Sequence, residues 1–245
     1  AANAVDEAIT IATLPDYARI TPRQMLATIK IIPYAAPTSA VEKVTDILSG
    51  AGALRLHERK LTTASVFMTR TEGMKDKLIN KGAAAVVARL TALGVTTGAP
   101  IIVPHETEAL AAALIAASGD MTIILGGSAT ADRRDVAPAA VAAAGGRVER
   151  FGMPVDPGNL LFIGTLHDRP VIGLPGCARS PKLNGADWVL ERIVSGLAVT
   201  DRDIQAMGVG GLLKEIPSRP QPRAGTPTPG RPFVSAILLA AGASR

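Results

Sequence analysis

Aromatic residues are scarce in this chain: one Trp, two Tyr and four Phe, 3% of 245 residues. A core made without them is aliphatic. With 24 Gly and 47% apolar residues, such a core suits close helix-on-sheet layers better than an all-β sandwich. There is one cysteine, Cys177, which excludes an internal disulfide framework and fits a reducing compartment. No stretch reaches the ~20 uninterrupted apolar residues that span a bilayer. The opening AANAVDEAIT has neither the basic region nor the apolar run of a secretory signal. The expected location is therefore cytoplasmic, without a membrane partner. Few aromatics also means few platforms for stacking bases, and Lys and Arg are dispersed, so no nucleic-acid partner is expected. The net charge of +5 then has two readings, a solvated basic surface or attraction for a small anionic ligand.

What the sequence does contain is regular alternation. Between Thr62 and Gly196, apolar runs at 64–69, 99–103, 121–125, 147–153, 160–166 and 170–174 predict strands. Segments with helical spacing at 78–93, 107–117, 132–144 and 181–195 predict helices between them. Strands separated by helices of that length imply right-handed crossovers and a mostly parallel sheet covered on both faces, an α/β fold. Residues 1–59 differ in texture, with strands expected at 8–12 and 25–32 and a short helix at 39–48. Those strands have no evident partners, so 1–59 is read as part of an N-terminal module and 60–213 as the main domain. Residues 214–232, KEIPSRPQPRAGTPTPGRP, are too rich in proline to pack a core and are read as a linker. At 233–245 a strand-like run leads into LLAAGASR, read as the start of a further domain.

Ligands of open parallel sheets sit beyond the carboxyl ends of the strands, and the loops there are unusual. Ile123-Ile124-Leu125 runs into Gly126-Gly127-Ser128-Ala129-Thr130-Ala131-Asp132-Arg133-Arg134-Asp135. Glycines at a strand–helix junction let backbone amides approach an anion. Ser128 and Thr130 offer further hydrogen bonds, Arg133 or Arg134 a cation for phosphate, and Asp135 a ligand for Mg²⁺ or a ligand N–H. The plainer reading is a tight turn with Asp132 as helix N-cap. Pro157-Gly158 lies in a second loop, and Gly173-Leu174-Pro175-Gly176 opens a third, with Cys177 beside it. Lys75, Lys77 and Lys81 follow the first strand of the main domain and suit either a phosphate or a solvated face. Cys177 is read as a small buried residue or a thiol near a ligand.

GGSATADRRDVAP resembles the GGTG-x-x-x-RDVTP signature of the molybdopterin-binding fold, found in molybdopterin adenylyltransferases, molybdopterin molybdenumtransferases and the end domains of gephyrin. GLPG and the Pro157-Gly158 turn follow in that family's order, and the similarity covers about Thr62 to Gly196. The resemblance implies a three-layer α/β/α fold that often trimerises. It also implies a pterin and phosphate pocket of Gly126, Gly127, Ser128 and Asp135, with Gly173, Leu174, Pro175 and Gly176 on its other side. Thr130 and Arg134, from the loop's own chemistry, and the Pro157-Gly158 turn complete the expected binding residues. Asp135, with Glu106 second, is the implied catalytic or metal-positioning carboxylate. This chain departs from the pattern in having His105-Glu106 where the family has an acid, Ala129 and Ala131 in the phosphate loop, and Cys177-Ala178 where the molybdenumtransferases have Asn-Pro. LLAAGASR resembles the LAAG-x-S-x-R loop of molybdenum cofactor cytidylyl- and guanylyltransferases. Together the resemblances imply the pterin-binding module of a cofactor nucleotidyltransferase, with molybdopterin as ligand, an NTP bound by a further domain, and Mg²⁺. Catalysis by the domain itself and a non-catalytic oligomerisation scaffold are the alternatives.

Overall fold

A computed structural model describes residues 1–52 and 54–213. The linker and the LLAAGASR segment expected at 214–245 lie outside the described residues. The chain divides into two compact units, 1–58 with 195–197, and 59–194 with the described residues from 198 onward.

In the smaller unit, β1 (Ile9–Thr13) and β2 (Ala27–Ile31) pair antiparallel, Ile9 opposite Ile31 and Thr13 opposite Ala27. The expectation that these strands lack partners is therefore corrected: they are partners of each other. Helix α1 (Thr38–Ala51) places Ala40 and Val44 on Ala8 and Ile9 to form a small aliphatic cluster.

The larger unit is a seven-stranded sheet. Its strands are β3 (Thr63–Arg70), β4 (Thr96–Thr97), β5 (Ile101–Pro104), β6 (Met121–Leu125), β7 (Arg147–Phe151), β8 (Phe162–Leu166) and β9 (Arg169–Leu174). The order runs β4-β3-β6-β9-β8-β7, with β5 also on β3. β3 is parallel to β4, β5 and β6, and β6 to β9, whereas β8 runs antiparallel to both its neighbours.

Alternation along the central strands decides what each face buries. Val66, Met68, Ile123, Leu125, Ile172 and Leu174 meet α2 (Asp76–Ala92) and α5 (Gly185–Val194) through Val86, Leu90, Val189 and Leu190. Phe67, Ile124 and Val171 face the other way, toward α3 (Thr107–Ile115) and α4 (Val136–Ala143), whose Leu110, Leu114, Ala140 and Val141 are fully buried. The result is the expected α/β/α sandwich. The few aromatics are used where bulk is needed: Phe67 is 0% exposed, a burial that contributes about 2–3 kcal/mol. A sixth helix, α6 (Asp201–Ala206), begins in a capping box between Thr200 and Asp203.

Two helices begin later than their apolar pattern suggests. The helix expected from Asp132 starts at Val136, because the carboxylates of Asp132 and Asp135 bind loop amides and hold 131–135 out of the helix. Asp132 is accordingly not the N-cap; Asp135 occupies that position. The helix expected from Pro181 starts at Gly185, since Asp187 accepts from the Asn184 amide and Arg89 takes the carbonyls of Ser180 and Lys182.

Candidate functional site

β3 stands between β5 and β6, so the chain crosses first to one side of β3 and then to the other. At such a switch point the loops after the three strands diverge and leave a crevice. Here the crevice brings together Thr69 from the end of β3, His105 just past β5, and Gly127-Ser128 just past β6.

Their contacts form a chain. Thr69 is 2% exposed, and its hydroxyl accepts the Gly127 amide at 2.6 Å. The same hydroxyl lies 2.7 Å from His105 Nδ1, and His105 Nε2 lies 2.9 Å from Ser128 Oγ. Burial lowers the imidazole pKa below its ordinary value, against a weaker upward pull from the Asp135 charge. Gly127 must be glycine for this approach, because a Cβ there would stand 2.8 Å from the Thr69 carbonyl oxygen. Among the described residues no acceptor engages the amides of Ser128, Ala129 and Thr130. These amides and the Ser128 hydroxyl are the donors the loop holds out.

The rest of the loop is closed on itself. Asp135 Oδ2 accepts from the amides of Ala131 and Asp132 at 2.5 and 3.0 Å. Arg134 is 93% exposed at its side chain and pairs with Asp132 at 3.0 Å. That pairing lowers the Asp132 pKa. Arg133 ties the loop to β7 through the carbonyls of Val148 and Glu149. The structure thus gives Asp135 a bracing contact, and the cation that reaches the inner loop comes from elsewhere. Arg179 Nη2 donates to the Gly126 carbonyl. Its Nε is buried without a partner among the described residues, and desolvation lowers its pKa.

The other expected site residues are spread along the same edge. Gly173 and Leu174 lie inside β9: Leu174 is in the core, and a Cβ on Gly173 would come within 1.9 Å of the Phe162 ring. Pro175 is buried and Gly176 is exposed at the start of a short 3-10 turn, Gly176–Arg179. Asp156-Pro157 is a cis peptide, and the Pro157 carbonyl accepts the Gly185 amide at 2.8 Å. Gly158, at φ 145°, would bring a Cβ to 2.8 Å from that amide, so this turn is stapled to the start of α5. Glu106 is exposed and precedes α3. With His105, Arg70, Thr71, Glu72 and Gly73 it borders a cleft of about 610 Å³ beside β5. Lys75, Lys77 and Lys81 are exposed. Cys177 is exposed, and desolvation raises its thiol pKa, which keeps it protonated. Among the described residues no three His, Cys, Asp or Glu side chains gather as a metal cage.

Sequence reasoning did not single out Thr69, Arg179 or Arg89, and treated His105 as the loss of an acid. Arg89 donates to Asp187 at 2.7 Å and to the carbonyls of Ala178, Ser180 and Lys182, which fixes the whole 178–182 segment. A threonine ending an apolar strand just ahead of a Gly-Gly loop partner, and a lone Arg on the apolar face of a helix, were the available signals.

The family described as a probable molybdopterin binding domain matches residues 65–195, and the chain belongs to it. Among solved structures, the molybdopterin biosynthesis moea protein from Pyrococcus horikosii is similar at 22% identity and a TM-score of 0.38, over 66% of this chain and 40% of that one. Molybdenum cofactor biosynthesis protein B is similar at 15% identity and a TM-score of 0.40, over 56% of this chain and 96% of that one. The chain thus spans less than half the length of the first of these. No curated protein matches the sequence.

Proposed function

We propose that the larger unit binds molybdopterin or its molybdenum-loaded form through the terminal phosphate, as the pterin-binding module of a molybdenum cofactor nucleotidyltransferase. Membership of the molybdopterin-binding family supports the ligand class. The observation that carries the placement is the set of donors with no acceptor among the described residues, the Ser128, Ala129 and Thr130 amides, at the sheet's switch point beside the Ser128 hydroxyl. A phosphate accepts several such bonds at once. Arg179 adds positive charge from behind Gly126. Asp135 shapes the loop with one oxygen and leaves the other for a Mg²⁺ ion shared with ligand phosphate, an ion that needs few protein carboxylates.

In the full reaction the pterin phosphate attacks the α-phosphorus of an NTP, CTP by preference, and pyrophosphate leaves. That NTP binds in a further domain whose expected beginning, 233–245, lies outside the described residues. Catalysis within this unit, by adenylyl transfer or molybdate insertion, is less favoured, because a largely neutral imidazole stands where the resemblance implies an acid and Glu106 is exposed. Assembly as a homotrimer or other homo-oligomer is part of the proposal, and the exposed Ile101 and Ile102 of edge strand β5 are the surface it would cover.

The test is titration with molybdopterin released from a molybdoenzyme, followed by pterin fluorescence. Saturable binding that weakens about tenfold in Ser128→Ala or Asp135→Ala is the expected result. Binding unaffected by both substitutions removes the site, and no binding at high protein concentration leaves the scaffold reading.

A further inference from the structure

Thr69, His105 and Ser128 touch in series, and burial fixes the direction in which their protons run. The Thr69 oxygen already accepts from the Gly127 amide. Its own proton needs an acceptor, because the residue is 2% exposed and a buried hydroxyl left without one is costly. Among the described residues the one acceptor in place for it is His105 Nδ1, at 2.7 Å. A nitrogen that accepts carries no proton, so the neutral ring bears its hydrogen on Nε2. Nε2 then donates to Ser128 Oγ at 2.9 Å. With one lone pair of Ser128 filled, its hydroxyl proton is directed away from His105 toward the open mouth of the loop, where the amides of Ser128, Ala129 and Thr130 also lack acceptors among the described residues.

We infer that Thr69 and His105 are positioning residues that hold Ser128 as a hydrogen-bond donor, making this corner of the site selective for an unprotonated oxyanion of the phosphate type. The inference deepens the pterin-binding reading by naming the chemistry that this corner takes, and it rests on that reading only for the identity of the ligand. The polarised series Gly127 amide, Thr69, His105, Ser128 strengthens each successive donor. It also assigns the imidazole a role other than general base. A base toward Ser128 would need its proton on Nδ1, and the Thr69 proton would then have no acceptor among the described residues.

The tautomer is read directly by ¹⁵N NMR of the imidazole nitrogens in the whole chain, with His57 and His167 separated from His105 by a His105→Asn control. The expected spectrum has a protonated Nε2 and a bare Nδ1, and a proton on Nδ1 overturns the inference whether or not molybdopterin binds. The second arm uses inorganic phosphate alone. Thr69→Val keeps the side-chain volume and removes the hydroxyl that sets the tautomer, so Ser128 is no longer held as a donor. Phosphate binding should then weaken by about tenfold, as when one hydrogen bond to a charged acceptor is lost. Thr69→Ser should restore both the affinity and the tautomer, which a merely space-filling role for Thr69 would not require. If Thr69→Val does not fold, the comparison of Thr69→Ser with Ser128→Ala decides, the first binding phosphate like the parent protein and the second about tenfold worse. Equal affinity across these variants, or no saturable phosphate binding by the parent protein, overturns the oxyanion assignment. Pterin binding without the Nε2 tautomer sinks the relay alone, and the Nε2 tautomer with phosphate binding but no pterin binding sinks the pterin reading alone.

Discussion

At the scale of single residues, the site is governed by what burial does to charge. His105 is the clearest case, because its folded pKa lies below the ordinary imidazole value of about 6.5. A base with a depressed folded pKa binds fewer protons folded than unfolded between the two values. Stability is therefore fully present above about 6.5 and falls as the pH drops below it toward the folded pKa. His105→Asn removes this contribution. Thermal melts of the two proteins, compared from pH 7.5 down to about 5, should show a smaller loss below about 6.5 in the variant; parallel curves would mean that the imidazole titrates normally. A His here reads from sequence as a lost acid, whereas in the fold it is a part-buried group hydrogen-bonded at both ring nitrogens. Nothing local to His105 in the sequence announces Thr69, 36 positions earlier, as its partner.

At the scale of elements, the strands and helices of the larger unit were legible and their junctions were not. Apolar runs such as Met121–Leu125, buried along their whole length, announce parallel strands without further context. The start of α4 was not legible, because Asp132 and Asp135 both qualify as N-caps and only the fold shows which amides each one reaches. The start of α5 was likewise hidden, since it depends on a contact 98 residues long in sequence, Arg89 with Asp187. This pair has side-chain exposures of 9% and 17%, and the guanidinium fork also satisfies three carbonyls of the 178–182 segment. Removing it strands a largely buried carboxylate and those carbonyls together. Arg89→Ala should therefore destabilise the unit by about 3 kcal/mol, measured by urea unfolding. Arg89→Lys should recover only part of this, because an ammonium cannot reproduce the fork. Full recovery by lysine would show that charge, and not the geometry of the fork, holds the 178–182 segment that carries Arg179.

At the scale of the molecule, the two units have different work under the proposed function. The Ser128, Ala129 and Thr130 amides, which have no acceptor among the described residues, lie in the larger unit on the loop after β6, where burial also desolvates Arg179. Under the proposed function a phosphate-bearing ligand gives those amides an acceptor and Arg179 a counter-charge. At a free ligand concentration 100 times Kd, the stabilisation is about 2.7 kcal/mol. Hydrogen exchange locates such a gain, because ligand binding slows opening most in the segments it engages. With molybdopterin bound, protection should rise at 69–73, 104–106, 126–135 and 175–180, and stay unchanged in β1, β2 and α1 of the smaller unit. The three donors at 128–130 should show the largest effect, since they pass from solvent to a bonded partner. Protection confined to β5 and the cleft beside Glu106 would instead place the ligand on the outer side of His105 and make the Gly126-Gly127 loop a wall of the site. Protection centred on β1 and β2 would move the binding surface to the smaller unit and leave the larger one as the scaffold that carries it.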